Sequence, residues 1–248
     1  MINYAHRGAS EYAPENTFSS FYLGLLQGAN GIETDVQITK DGVPVLFHDD
    51  TLDRVTDSTG KIEDYTLAEL QNVKVYGNSH RGFYDRIPTF RAFLETFMEY
   101  DIHFAIELKE VGAEQQVVDM IHEFGIEEKT TITSFRFEAI KRVKEIDSSI
   151  RIGYLVAGNG CDHIEELQAI GGEEMAPNAS KMSEESVAEL RNAGLGVRAW
   201  GIANQDLMRK MCRLKVDGMT VNFPDRLYDA CLGSRKCQLL TTYRSGSL

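Results

Sequence analysis

His6-Arg7, Glu33-x-Asp35, His48-Asp49 and Glu107-x-Lys109 are the groups in this chain whose types and spacing suit shared chemistry. Each lies at the end of a short run of β-type residues. Along an extended strand alternate side chains share a face, so Glu33 and Asp35 point the same way. Two carboxylates on one face repel unless a cation sits between them, and hard divalent ions take oxygen ligands of this kind. Glu107 offers a third oxygen ligand, and Lys109 beside Arg7 offers donors for phosphate oxygens. With an imidazole on either side, the set reads as metal-assisted phosphate chemistry. All-carboxylate ligation favours one Mg²⁺ or Ca²⁺ over zinc.

Taken singly, each residue has an ordinary structural explanation. His6 is a hydrogen-bonded strand-end histidine, Glu33 and Asp35 pair with arginines or cap a helix, and Glu107 and Lys109 form a same-face ion pair. His48-Asp49-Asp50 is simple turn chemistry. The joint arrangement favours the functional reading. His80, His103, His122 and His163 have no such partner set. In Pro14-Glu15-Asn16-Thr17, Asn16 or Thr17 suits a helix cap, and Glu15 and Asn16 are candidates for supporting the site from behind.

The ordered set His6-Arg7-Gly8, Pro14-Glu15-Asn16-Thr17, Glu33-x-Asp35, Asp41-Gly42, His48-Asp49 and Glu107-x-Lys109 resembles the glycerophosphodiester phosphodiesterase family. Asp217-Gly218 and Phe223-Pro224-Asp225 resemble that family's last strand and following turn, so the likeness spans about residues 2 to 230. It implies hydrolysis of a small-molecule glycerophosphodiester to glycerol 3-phosphate and an alcohol. A cation on Glu33, Asp35 and Glu107 would hold the substrate with Arg7 and Lys109, and His6 and His48 would serve as general acid and base. Which histidine is the base stays open, as does attack by water against attack by a glycerol hydroxyl. The resemblance also implies that an aromatic at the place of Trp200, the only tryptophan, borders the substrate pocket. Phe135 is a weaker case of the same kind; for Trp200 the alternative is a core aromatic. Asn222 ends the last strand with no role assigned. Two other readings remain: a phospholipase of the sphingomyelinase D type acting on intact lipids, and a non-catalytic phosphodiester-binding barrel. The Pro14–Thr17 motif and the long segment after His48 favour the first reading.

The elements that must position these groups follow from the pattern. Strand-like runs fall near 2–7, 31–38 (returning at 43–47), 103–109, 130–135, 151–156, 173–178, 196–201 and 218–223. Helical runs fall between them, near 16–29, 89–100, 113–124, 136–147, 162–170, 183–193, 204–214 and 225–232. Eight such units predict a single α/β domain over 1–248, a (β/α)8 TIM barrel with an insertion after the second strand. Active sites of such barrels lie at the C-terminal strand ends, where the first three strands bring the candidates together. Residues 48–88 are too many for a loop and read as an inserted subdomain, which the resemblance places beside the substrate pocket. Residues 233–248 read as a peripheral tail.

With 248 residues and 42% hydrophobic content the chain can bury a large core. A net charge of −12 argues against a general nucleic-acid binder or a polybasic membrane patch. No apolar stretch approaches the roughly 20 residues of a membrane span, so no stable membrane insertion is expected. The first β run starts near Ile2 and leaves no space for a cleaved leader. Together with four cysteines lacking metal-type spacing, this predicts a cytoplasmic protein with reduced thiols. Oligomeric state leaves no mark in the sequence.

Overall fold

The computed structural model describes residues 1–77 and 82–232; His80 and the expected tail at 233–248 lie outside the described residues. Strands and helices alternate as β1 (Ile2–His6), α1 (Phe18–Leu26), β2 (Gly31–Ile38), α2 (Phe90–Phe97), β3 (His103–Leu108), α3 (Glu114–Phe124), β4 (Thr130–Ser134), α4 (Phe137–Ile146), β5 (Arg151–Val156), α5 (Ile164–Ala169), β6 (Glu174–Pro177), α6 (Glu184–Asn192), β7 (Gly196–Ala199), α7 (Gln205–Leu214), β8 (Gly218–Val221) and α8 (Pro224–Leu227). Each strand pairs in parallel with its neighbours, and β1 closes the ring by pairing with both β2 and β8. The fold is a (β/α)8 TIM barrel.

Local sequence explains the elements. In α2 the buried positions Phe90, Phe93, Leu94 and Phe97 recur at helical spacing, and Thr89 caps the start by accepting from Ala92 N. Phe93 meets Phe21 of α1 edge to face at 4.9 Å and Phe104 of β3 at 5.7 Å. Fully burying one such ring contributes about 1.5–3 kcal/mol. Ser183 and Ser186 form a capping box at the start of α6, and Gly194 follows its end at φ 80°. α1 starts later than the pattern predicts, because Thr17 is its cap and Asn16 turns away in a left-handed conformation.

Inside the barrel, large polar side chains are matched to glycines. A Cβ on Gly31 would lie 2.6 Å from the Tyr4 ring, and one on Gly218 would lie 2.9 Å from it. One on Gly153 would lie 2.9 Å from Glu174 Oε1. These gaps admit a polar layer below the mouth. In it, Arg198 Nε donates to Glu174 Oε1 at 2.7 Å and Nη1 to Thr220 Oγ1 at 3.0 Å.

After β2 the chain turns at Asp41-Gly42 and returns as Pro44–Leu46, antiparallel to β2. The following segment holds a 3₁₀ turn at Ile62–Asp64, a short helix at Leu67–Leu70 capped by Thr66, and paired strands Val75–Tyr76 and Tyr84–Asp85. It buries its own apolar cluster, including Phe47, Leu52, Ile62, Leu70 and Val75. Asp85 ties it to α1 by accepting from Ser19 N at 3.1 Å and Ser19 Oγ at 2.6 Å. Cys161 is a free thiol but Cys212 is disulfide-bonded, which corrects the expectation of reduced cysteines at that position. Among the described residues no helix is long and apolar enough to cross a membrane.

Candidate active site

The β1–α1 turn is folded tightly on itself. Arg7 and Asn16 both adopt φ 55°, a left-handed conformation that costs a non-glycine residue about 1–3 kcal/mol and clusters at functional sites. Arg7 N donates to the Glu33 carbonyl at 2.9 Å and to Glu33 Oε2 at 3.0 Å, and Arg7 O accepts from Asn16 N at 2.9 Å. Between them Gly8, at φ 80°, passes so close to α1 that a Cβ would lie 2.4 Å from Ser20. The turn therefore delivers the Arg7 side chain to the barrel mouth, where Nη1 donates to Glu15 Oε1 at 2.9 Å and Nε lies 3.2 Å from Asp35 Oδ2.

Strand register supplies the rest. His6 is level with Glu33, and Asp35 is level with Glu107. One oxygen from each of Glu33, Asp35 and Glu107 lies within 4.8 Å of the others. Asn16 Nδ2 donates to Asp35 Oδ2 at 2.8 Å, while its Oδ1 accepts from Thr34 Oγ1 at 2.7 Å. Lys109 Nζ donates to Glu107 Oε1 at 2.7 Å and lies 3.6 Å from Asp35 Oδ1. Both histidines use Nδ1 as a donor: His6 to Asn222 Oδ1 and His48 to Asp49 Oδ1, each at 2.5 Å. That tautomer leaves Nε2 as the ring nitrogen able to accept a proton.

The electrostatics follow from crowding like charges in a buried place. Burial and the neighbouring Asp35 and Glu107 hold the Glu33 carboxyl well above its usual range. Burial and Asp35 push Glu107 up to about 7. Burial also pushes Asp35 upward, but Arg7 and Lys109 outweigh it and hold this carboxyl below the ordinary range. Burial and Arg7 press His6 down to about 3, and burial lowers His48. Asp35 Oδ1 is fully buried and has no hydrogen-bond donor. A buried acceptor left in this way is costly, and three convergent carboxylates around it form an oxygen set that could hold a hard divalent cation.

A cavity of about 300 Å³ opens over these groups, lined by His6, Glu33, Glu107, Phe135, Trp200 and Asn222 among others. Trp200 and Phe135 meet edge to face at 5.1 Å, and Trp200 Nε1 donates to the Val156 carbonyl at 3.1 Å. A larger groove of about 600 Å³ runs between β2 and the inserted segment and touches none of the candidate groups. We place the site at the smaller cavity because the titratable groups converge there.

His6, Arg7, Glu33, Asp35, His48, Glu107, Lys109, Phe135 and Trp200 thus meet at one end of the barrel, with Glu15 and Asn16 bonded behind them. Three neighbours of this cluster were given no role from the sequence. Asn222, which orients His6, is 216 positions away from it. Arg54, which donates to both Asp49 and Glu15, lies in the inserted segment. Arg198 lines the cavity from below, and its buried Nη2 lacks a hydrogen-bond partner. An arginine inside an otherwise apolar strand was the one available hint for the last.

A parallel eight-stranded barrel with clustered carboxylates, two cations and two oriented histidines at its C-terminal mouth defines a class suited to phosphoryl-group chemistry. Residues 6–226 match the glycerophosphoryl diester phosphodiesterase family, and the chain belongs to that family of phosphoric diester hydrolases. The chain is 31% identical over 231 residues to the glycerophosphodiester phosphodiesterase of Caldanaerobacter subterraneus subsp. tengcongensis, covering 90% of this chain and 94% of that one. It is 34% identical over 235 residues to YhdW of Bacillus subtilis (strain 168), covering 91% and 96%. Among solved structures it resembles a phosphodiesterase from Oleispira antarctica in complex with the product sn-glycerol-3-phosphate. That match has a TM-score of 0.84 and 29% identity, over 92% of this chain and 95% of the other.

Proposed function

We propose that this protein hydrolyses glycerophosphodiesters to glycerol 3-phosphate and an alcohol, with one divalent cation, Mg²⁺ or Ca²⁺, held by Glu33, Asp35 and Glu107. The observation that carries this reading is the buried, donor-free Oδ1 of Asp35 inside a three-carboxylate cluster, flanked by two cations and two histidines. Charge supports it. With all three carboxylates ionised, as ligation requires, they leave one net negative charge against Arg7 and Lys109, and a divalent cation would reverse the sign, as an anionic diester requires. The cation would supply Lewis-acid polarisation of a phosphate oxygen.

The chain's own residues do the remaining work. Arg7 and Lys109 hold non-bridging oxygens by charge-assisted hydrogen bonds, which position and stabilise the developing charge. His6 and His48 exchange protons through Nε2, one taking the proton of the attacking hydroxyl and the other protonating the leaving alcohol. Trp200 and Phe135 form an aromatic wall for the substrate, and the inserted segment borders its pocket. The Oleispira antarctica protein's product complex supports this substrate class, since its fold matches over most of both chains.

The test is a panel of glycerophosphocholine, -ethanolamine, -inositol and -glycerol, assayed with metal-stripped protein and with Mg²⁺ or Ca²⁺ restored separately. We expect release of glycerol 3-phosphate only with metal. Full hydrolysis by chelated protein rejects the metal role, and no hydrolysis of any panel member with either ion rejects the substrate class.

A further inference from the structure

We infer that Arg54, supplied by the inserted segment, is a positioning residue that fixes His48 and Arg7 relative to each other through the carboxylates of Asp49 and Glu15. The inference rests on the function proposed above. Arg54 Nε and Nη2 donate to Asp49 Oδ2 and Oδ1 at 2.5 and 2.9 Å, and Nη1 and Nη2 donate to Glu15 Oε2 and Oε1 at 2.9 and 2.7 Å. One planar guanidinium grips two carboxylates along two edges, a geometry that an ammonium cannot reproduce.

Both carboxylates are already engaged in the site. Asp49 Oδ1 accepts from His48 Nδ1 at 2.5 Å, and Glu15 Oε1 accepts from Arg7 Nη1 at 2.9 Å. Arg7 in turn lies 3.2 Å from Asp35. A continuous chain of hydrogen bonds and ion pairs therefore runs from a proton-exchanging histidine to a proposed metal ligand, and Arg54 is its middle link. Without Arg54, Asp49 and Glu15 lose the cation they share, and the chain of contacts from His48 through Asp49 and Glu15 to Arg7 is broken in the middle. The insertion is then part of the catalytic apparatus as well as its border. Its attachment to the barrel does not depend on Arg54 alone, because Asp85 also binds α1. The Arg54 side chain is 41% exposed, so its removal opens a solvent-filled notch that a small cation can enter.

Arg54→Ala tests this. We expect turnover per folded molecule to fall about 10²-fold, the cost of misplacing reacting groups by about 1 Å, with Mg²⁺ affinity unchanged because its ligands remain. Millimolar guanidinium chloride should restore much of the activity, and the same concentration of sodium chloride should not. Parental turnover in folded Arg54→Ala, or a loss of Mg²⁺ affinity equal to the loss of turnover, overturns the inference. Should Arg54→Ala fail to fold, Arg54→Lys carries the test: it keeps the charge but not the fork, and parental turnover there overturns the inference. Binding of sn-glycerol 3-phosphate to the metal-loaded protein, read by calorimetry, separates this idea from the proposed function. A parent that hydrolyses no diester refutes the function, yet product affinity about tenfold weaker in Arg54→Ala still upholds the coupling. Equal product affinity in both proteins then refutes it.

Discussion

His6 and His48 are held by different partners, a neutral amide oxygen and a carboxylate, and both present the same tautomer. If they move protons, His6→Ala and His48→Ala should each lower turnover by about 10² or more, the usual size of a general acid or base contribution. Melting temperature should change little, because each side chain is part-exposed at the mouth. The double variant should lose much less than the product of the single losses. Near-normal turnover with lowered melting temperature would identify them as structural rim residues. At this scale the sequence was legible where spacing is local. Glu33-x-Asp35 and Glu107-x-Lys109 repeat at the strand period, so a shared face follows from two residues. Asn222 and Arg54 were not legible, because their roles depend on contacts across 216 and 39 positions that no local period encodes.

Strands of the barrel carry a second kind of constraint below the site. Arg198 of β7 and Glu174 of β6 are both buried and pair at 2.7 Å. Removing one partner strands a buried charge, so Arg198→Met should cost about 3–5 kcal/mol, whereas Arg198→Met with Glu174→Met should regain most of it. Urea unfolding of the two variants beside the parent checks this, and equal stability of the two would contradict it. The alternation of eight strands and eight helices was legible because the longer helices carry an apolar stripe and α1, α2, α6 and α7 each open on a side-chain cap. The polar layer was not, since a buried pair needs both strands in register before either residue makes sense. The ends of elements shifted for local reasons, as at Asn16, whose left-handed backbone delays α1.

For the whole molecule, the raised carboxyls predict how stability depends on pH. Glu107 titrates at about 4.5 when unfolded and about 7 when folded. Between those values the folded chain holds more protons than the unfolded one, so this group's contribution to stability falls as pH rises through the window. Glu33 acts in the same direction. His6, held down to about 3 against 6.5 unfolded, acts in the opposite sense over part of the range. The measurable quantity is therefore a difference. From pH 5 to 8, metal-stripped parent should lose more melting temperature than metal-stripped Glu107→Gln, and added Mg²⁺ should cancel the excess by satisfying the ionised carboxylates. Identical pH profiles for the two metal-free proteins would refute the buried-carboxylate account.

The bond from Lys109 Nζ to Glu107 Oε1 has a consequence for the order of events. A divalent cation held by Glu107 would compete with Lys109 for the same carboxylate, so binding it would loosen the ammonium and free it for a phosphate oxygen. Ion and substrate would then be thermodynamically linked partners, and linkage is reciprocal: the factor by which Mg²⁺ tightens sn-glycerol 3-phosphate should equal the factor by which sn-glycerol 3-phosphate tightens Mg²⁺. Titrating each ligand at several fixed concentrations of the other would give both factors. In Lys109→Met the part of that coupling carried by the lysine should vanish, leaving an enzyme that still takes both ligands but no longer lets one prepare the place of the other.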